Sequence, residues 1–121
     1  MNIDTQNLIL KDINNTTFNF KKLFKITNSI TWINCNNLKV VIDSPVNKLI
    51  LKKCKNIELT LDKTIAGIEI NRCVNLIINT KQGKHLNHLD IFKSSVTLNI
   101  SKQDLDIINI VKAKSELNIN N

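Results

Sequence analysis

The sequence predicts an all-β fold, a right-handed parallel β-helix of about six short coils. Cys35, Cys54 and Cys73 are separated by nineteen residues each, and the segments around them repeat one pattern of apolar and polar residues. Within each segment the apolar residues alternate, which is typical of β-strands, and helical spacing is nowhere sustained. A strict register of this length indicates coils stacked about 4.8 Å apart, with each residue above its counterpart in the previous coil.

The chain length suits one domain, 1–121, built around a single core. Of its 121 residues, 42% are hydrophobic and 22% are charged, which is the composition of a globular protein. No apolar run approaches the roughly 20 residues of a membrane-spanning helix, and the first residues lack the pattern of a signal peptide. We therefore expect a soluble cytoplasmic protein with no membrane partner.

The first 27 residues are expected to form a degenerate first coil and an N-terminal cap. We expect Phe18 and Phe20 to fold over the first regular coil, because a β-helix without caps exposes unpaired strand edges at its ends. A weak version of the repeat runs through this segment in Leu8, Leu10, Ile13, Phe18 and Phe20.

Residues 28–119 are expected to form the regular coils. Two residues after each cysteine stands an asparagine, a residue type that tolerates left-handed backbone and can bond to its stacked counterpart. We expect Asn37, Asn56 and Asn75 to form a ladder at one corner. The inward-facing pairs before each cysteine are Ile30/Trp32, Leu49/Leu51 and Ile68/Ile70. After a slip of one or two residues the pattern continues in Leu89, Ile91, Val96, Leu98 and Ile100. A further coil is expected nineteen residues beyond Leu89, Ile91, Leu98 and Ile100, in Ile108, Ile110, Leu117 and Ile119.

Several segments resemble a known family. They are the coil motif C-x-N-[LI]-x-[VLI], the stretch IAGIEINRCVNLII and the stretch IVKAKSELNI. Together they are similar to the C-terminal β-helix domain of the cyclase-associated protein family, a C-CAP/cofactor C-like domain. The similarity covers residues 28–119 well and the first 27 loosely. The family's last motif reads A-K-S-S-E-[ML]-N, and the corresponding stretch Ala113–Asn118 is one serine shorter.

The resemblance implies a non-enzymatic domain that binds monomeric actin, prefers the ADP form and promotes exchange of the bound nucleotide. The residues matching the family's last coils, and hence the expected partner contacts, are Lys93, Lys114, Ser115, Glu116 and Asn118. Family members usually continue into a hairpin that exchanges between two subunits. That hairpin is absent from this sequence, so we do not expect dimerisation by this route. A β-helix scaffold without actin binding remains an alternative.

A cofactor C-like regulator of a small GTPase or of tubulin folding is a further alternative. In cofactor C and its relatives, an arginine on a mid-helix strand stabilises transition-state charge on GTP. Aligned through Cys73, that position is Glu69, between the inward-facing Ile68 and Ile70, whereas Arg72 falls in a turn. A carboxylate there would repel phosphate, so the sequence argues against activation of a GTPase.

The cysteines and histidines do not predict catalysis, a cofactor or a metal site. Stacked cysteines could form a disulfide on distance alone, but their number is odd and zinc would lack a fourth ligand. We expect buried, inert thiols. His85 and His88 stand near Asp90, and a histidine beside a carboxylate can act as a general base. The adjacent Gly83 and polar residues instead predict a corner loop.

The net charge of +7 points to an acidic partner or to a solvated basic face. One arginine, one tryptophan and four phenylalanines are too few for base contacts and stacking, so nucleic acid is not expected. The densest basic cluster is Lys52, Lys53 and Lys55. Actin, an acidic protein, would suit such a surface.

Overall fold

The computed structural model describes residues 7–21 and 28–121, which form two six-stranded parallel sheets. The first sheet contains β1 (Leu8–Lys11), β3 (Ser29–Ile33), β5 (Val46–Lys52), β7 (Thr64–Asn71), β9 (His88–Phe92) and β11 (Asn109–Ala113). The second sheet contains β2 (Asn14–Lys21), β4 (Asn36–Asp43), β6 (Lys55–Leu61), β8 (Val74–Thr80), β10 (Ser95–Asn99) and β12 (Glu116–Asn120).

Each odd-numbered strand and the even-numbered strand after it make one coil, and each sheet follows the coil order. The six coils therefore stack in sequence, and the predicted parallel β-helix is confirmed. No helix among the described residues is long and apolar enough to cross a membrane.

The core consists of aliphatic ladders between the two sheets. Successive residues of a strand point to opposite faces, so the alternating apolar residues all face inwards. In the second to fourth coils the predicted inward pairs are confirmed, and each member is at most 1% exposed. In register, one ladder contains Ile30, Leu49, Ile68 and Leu89, and its neighbour contains Trp32, Leu51, Ile70 and Ile91.

Residues 8–21 form a complete first coil. Phe18 pairs with Val40 and Phe20 with Ile42, and the two phenylalanine rings stack with centroids 5.6 Å apart. These residues are therefore part of the first coil itself, and the expectation that they fold over the next coil is wrong. The remainder of the expected N-terminal cap, at 1–6 and 22–27, lies outside the described residues.

The sixth coil is offset by 21 residues from the fifth, and the predicted offset of nineteen is wrong. Leu89 pairs with Ile110, and Leu98 pairs with Ile119. The connection between the two coils is longer because it contains a short helix, α1 (Lys102–Leu105). A shift of two residues keeps the inward face inward, so the alternation of the last strands still matches the core.

This offset places a lysine in an apolar ladder. Lys112 pairs with Ile91, so it continues the ladder of Trp32, Leu51 and Ile70. No strand stacks beyond β11 among the described residues, and Lys112 is exposed. A charge at this position is tolerated because the ammonium group remains in water.

A loop at 81–87 connects the fourth and fifth coils, as Gly83 and the polar residues around it predicted. His85 lies in this loop, but the same expectation for His88 is wrong, because His88 is the first residue of β9. The carboxylate beside His85 is Asp104, with 3.5 Å between Nδ1 and Oδ1, and not the expected Asp90. Asp104 is buried, and its Oδ2 accepts hydrogen bonds from Ser101 Oγ at 2.9 Å and from the backbone N–H of Gly83 at 3.1 Å. This carboxylate therefore joins α1 to the loop.

Candidate functional site

One corner has the same construction in all six coils. Only two residues separate each odd-numbered strand from the next even-numbered strand. The first has a positive φ, between 49° and 56°, and the second points towards the core in most coils. The left-handed residues are Asp12, Asn34, Lys53, Arg72, Lys93 and Lys114. The residues that follow them are Ile13, Cys35, Cys54, Cys73, Ser94 and Ser115.

The inward residues of this corner form one hydrogen-bonded ladder. The backbone N–H of Cys54 donates to Cys73 Sγ at 3.4 Å, and that of Cys73 donates to Ser94 Oγ at 2.9 Å. The backbone N–H of Ser94 donates in turn to Ser115 Oγ at 3.0 Å. Two serines thus continue the cysteine ladder. The change of residue type and of spacing hid this continuity in the sequence.

The three cysteines are buried free thiols, as predicted. Burial raises the pKa of the Cys35 thiol. A hydrogen bond with Cys73, together with burial, raises the pKa of the Cys54 thiol. These two thiols therefore remain protonated at neutral pH, and a protonated thiol is a poor nucleophile. Among the described residues, no group of three or more His, Cys, Asp and Glu side chains could hold a metal ion.

Replacing Ser94 with alanine is expected to lower the free energy of unfolding by about 1–3 kcal/mol, because the buried N–H of Cys73 loses its acceptor. Ser94→Cys is the control, since cysteine fills this position in three other coils, and it should cost less. Urea unfolding followed by circular dichroism measures both. Equal stability of the two variants would show that the ladder hydrogen bond contributes little.

Stacked asparagines lie beside this corner, as predicted, but the stack is not bonded throughout, because Nδ2 of Asn56 donates to Oδ1 of Asn36 at 3.4 Å and not to Asn37. Asn37, Asn56 and Asn75 all have positive φ, and Asn15 extends the ladder into the first coil. The Nδ2 of Asn37 donates to Oδ1 of Asn15 at 2.8 Å, and that of Asn75 donates to Oδ1 of Asn56 at 2.9 Å. The ladder ends at the fifth coil, because only Ser95 stands there between the buried Ser94 and Val96, whereas two residues stand between the corresponding positions of the second to fourth coils.

A second asparagine ladder, which the sequence analysis missed, lies on the outer face of the second sheet. Asn79, Asn99 and Asn120 are in register. The Nδ2 of Asn99 donates to Oδ1 of Asn79 at 2.6 Å, and that of Asn120 donates to Oδ1 of Asn99 at 3.0 Å. Their irregular spacing in the sequence, 20 and 21 residues, gave no simple signal.

Four of the five expected partner contacts line one open groove of about 510 Å³. Lys93 and Lys114 are the left-handed residues of the last two corners, and both are exposed. Ser115 is half-buried, and its hydroxyl donates to the carbonyl of Ala113 at 2.8 Å, so it also holds the corner together. The complete groove lining is Cys73, Val74, Lys93, Ser94, Ser95, Lys114, Ser115 and Glu116.

Asn118, the fifth expected contact, is not part of the groove lining. It lies on β12 opposite Thr97, on the outer face of the second sheet, and it is exposed. Any partner touching both Asn118 and the groove must therefore cover the corner and the adjoining sheet face.

Phe92 is a residue of this corner that the sequence analysis missed. The guanidinium carbon of Arg72 lies 5.4 Å from the centre of its ring, and Nζ of Lys93 lies 5.3 Å from it. The ring thus holds cations from two successive coils. No periodic signal marks Phe92, because most other coils carry aliphatic or polar residues at this outward position.

Glu69 and Arg72 lie where the sequence predicted. Glu69 stands on the outer face of β7 between the buried Ile68 and Ile70, and its Oε2 lies 3.6 Å from Nζ of Lys48. Arg72 lies in the corner, with φ of 55°.

The comparisons with known proteins agree with this architecture. The family described as Adenylate cyclase associated (CAP) C terminal matches residues 5–121. The chain belongs to this family. The cyclase-associated protein from Cryptosporidium parvum has a similar crystal structure, with a TM-score of 0.77 and 17% sequence identity over 93% of this chain and 72% of that one. This likeness concerns the fold alone. No curated protein matches the chain.

The structure explains why the motif Ala113–Asn118 of this CAP C-terminal domain can be one serine shorter than the family's motif. Lys114 and Ser115 form the complete two-residue corner, and Glu116 already begins β12. The preceding coil has the same construction, with Lys93 and Ser94 before β10. A second serine is therefore not needed to close the corner.

Proposed function

We propose that this domain binds monomeric actin, prefers the ADP-bound form and promotes exchange of the nucleotide. Membership of the CAP C-terminal family carries the proposal, because it supports an actin-related role. The domain would act by binding alone, stabilising an actin conformation that releases ADP more readily. Its place would be in the cytoplasm, beside the cytoskeleton.

The groove at the last two corners offers suitable contacts for such a partner. Lys93 and Lys114 have no carboxylate partner among the described residues, so their charges are available to an acidic protein. Glu116 adds an exposed carboxylate that can pair with a basic group of the partner. Opposite charges at fixed positions favour one docking orientation over others.

The rigidity of the corner also supports the proposal. The backbone N–H of Lys93 donates to the carbonyl of Ala113 at 3.0 Å, and that of Glu116 donates to the carbonyl of Ser94 at 2.9 Å. Little conformational entropy is then lost on binding, and more of the interaction energy can bias the conformation of the partner.

Release of a fluorescent ADP analogue from monomeric actin tests the proposal. We expect the domain to accelerate release, with a rate that saturates as the domain is added. Unchanged release in the presence of folded domain would contradict the proposal and leave a scaffold whose partner must be sought by affinity capture.

The double variant Lys114→Ala with Glu116→Ala tests the assigned contacts. We expect the concentration for half-maximal acceleration to rise at least about fivefold, in keeping with the loss of two interface contacts. The control is Lys102→Ala with Asp106→Ala, which also removes one positive and one negative charge, but at the connection between the fifth and sixth coils. An unchanged half-maximal concentration in the first variant would remove these residues from the site.

The cofactor C-like alternative receives less support. Glu69 occupies the position aligned with the catalytic arginine, and it forms an ion pair with Lys48 on the outer face of the first sheet. Arg72 lies three residues further on, against Phe92. We expect the domain to have no effect on GTP hydrolysis by small GTPases.

A further inference from the structure

We propose that Lys53, Arg72, Lys93 and Lys114 form one continuous basic ridge that docks an α-helix of a protein partner, with acidic side chains one turn apart on the docked face. The inference rests on the proposed function in that the partner would be the actin monomer. It adds two contacts to the assigned site, Lys53 from the third coil and Arg72 from the fourth.

Backbone hydrogen bonds fix the four positions in register. The N–H of Lys53 donates to the carbonyl of Asn71 at 2.9 Å, and that of Arg72 donates to the carbonyl of Phe92 at 2.9 Å. Lys93 makes the equivalent bond to Ala113 at 3.0 Å. The four cations therefore follow one another at the coil spacing of about 4.8 Å, and all four side chains are exposed.

The backbone of the corner does not favour these residue types. Left-handed φ values are tolerated best by glycine, asparagine and aspartate, and they are unfavourable for lysine and arginine. The first two coils follow this rule with Asp12 and Asn34, whose side chains bond to each other at 2.7 Å. The next four coils instead place long cations there, in mutual repulsion. Folding stability alone does not explain that choice.

Within the described part of the chain, no ion pair neutralises the ridge. The ion pairs described in residues 7–21 and 28–121 engage Lys48, Lys81, Lys84 and His85, and none of them includes a ridge residue. Arg72 and Lys93 instead approach Phe92 from successive coils. This contact holds two like charges close together before any partner arrives, which reduces the ordering needed on binding.

The spacing of the ridge selects a helix among acidic protein segments. An α-helix advances about 5.4 Å per turn, close to the coil spacing of about 4.8 Å. Acidic residues at i, i+4, i+7 and i+11 would therefore stand opposite four successive coils. An extended strand matches less well, because its side chains on one face are about 6.6 Å apart.

Grooves lie along the same corner at both ends of the ridge. One, of about 320 Å³, is lined by residues that include Asn34, Lys53 and Lys55. The other, of about 510 Å³, is the groove containing Lys93 and Lys114. Side chains of the docked helix that flank its acidic residues can pack into these two grooves.

Neutral replacement is the sharpest test. The double variant Lys53→Asn with Arg72→Asn places a residue that suits left-handed backbone at both positions, so thermal stability should be equal or higher. The probe is a labelled 15-residue helical peptide with glutamates at i, i+4, i+7 and i+11. We expect its affinity to fall at least tenfold in the variant, and the half-maximal concentration in the actin assay to rise at least fivefold. The control, Lys39→Asn with Lys102→Asn, should change either value less than twofold.

The outcomes separate the two proposals. Binding of the peptide through the ridge without accelerated ADP release would sustain the ridge and contradict the proposed function. If the domain accelerates ADP release and the double variant Lys53→Asn with Arg72→Asn has the same half-maximal concentration, the ridge is overturned and the proposed function is sustained. The proposal that the ridge binds a helix would be overturned if a scrambled peptide of the same composition bound equally tightly. Tighter binding of a single-stranded oligonucleotide would overturn it too.

Discussion

Replacing Gly67 with alanine is expected to lower the free energy of unfolding by at least about 3 kcal/mol. Gly67 lies in β7 with φ of 88°, a backbone conformation that is strained for any side chain. A Cβ atom there would stand 2.2 Å from the carbonyl oxygen of His88, a backbone atom of the neighbouring strand. Relief of that clash would require β7 and β9 to move apart, and their hydrogen bonds would weaken.

Gly83→Ala is the matched control for this prediction. Gly83 also has a positive φ, 77°, but nothing lies within 4 Å of the position of its Cβ. Only the conformational cost remains, about 1–2 kcal/mol. Chemical unfolding of both variants measures the difference. Equal losses would mean that the contact with His88 relaxes without cost.

Leu51→Ala is expected to cost about 3–5 kcal/mol. Leu51 is completely buried, and it stacks between Trp32 and Ile70 in the ladders of three successive coils. A cavity there cannot collapse easily, because the backbone above and below is held by the strand hydrogen bonds of both neighbouring coils. Calorimetry or chemical unfolding measures the loss.

The same substitution at the end of the same ladder provides the control. Leu10 pairs with Trp32, but it belongs to the first coil and is only partly buried. Leu10→Ala should cost about 1–2 kcal/mol, because less apolar area leaves water when this coil folds. A loss at Leu10 as large as that at Leu51 would show that the end coils are packed as firmly as the middle ones.

This gradient bears on the proposed site. In a stacked structure each coil contacts only its neighbours, so local stability depends on the number of coils on either side. The groove with Lys93 and Lys114 belongs to the last two coils, whereas Lys53 and Arg72 belong to the well-supported third and fourth. A ridge that spans all four therefore anchors the contacts of the end coils to the rigid middle of the β-helix.

Strand alternation made the core predictable. Residues such as Ile68 and Ile70 face inwards because their side chains alternate with Glu69, and the nineteen-residue register identified the counterparts in the coils before. Local backbone preference likewise revealed the ladder of Asn37, Asn56 and Asn75, because few residue types suit a left-handed corner.

The register of the end coils was less predictable. α1 adds residues to the connection before β11, but four residues give no helical periodicity to detect. The predicted offset of nineteen failed for this reason, and with it the expected pairing of Leu89 with Ile108. The pairing of Asp104 with His85 escaped prediction too, because it joins two connections that pack together only in the folded chain.

The sequence by itself determined the number of coils, the residues that face the core and the corner that carries asparagine, because a stack of like residues repeats its apolar pattern along the chain. Only the tertiary structure decided which charged residues share a surface. Lys53, Arg72, Lys93 and Lys114 are 19, 21 and 21 residues apart, and they align because each precedes an inward-pointing cysteine or serine at a left-handed corner. Exposed charges are under no packing constraint, so their alignment leaves no hydrophobic period and depends on connection lengths that packing sets.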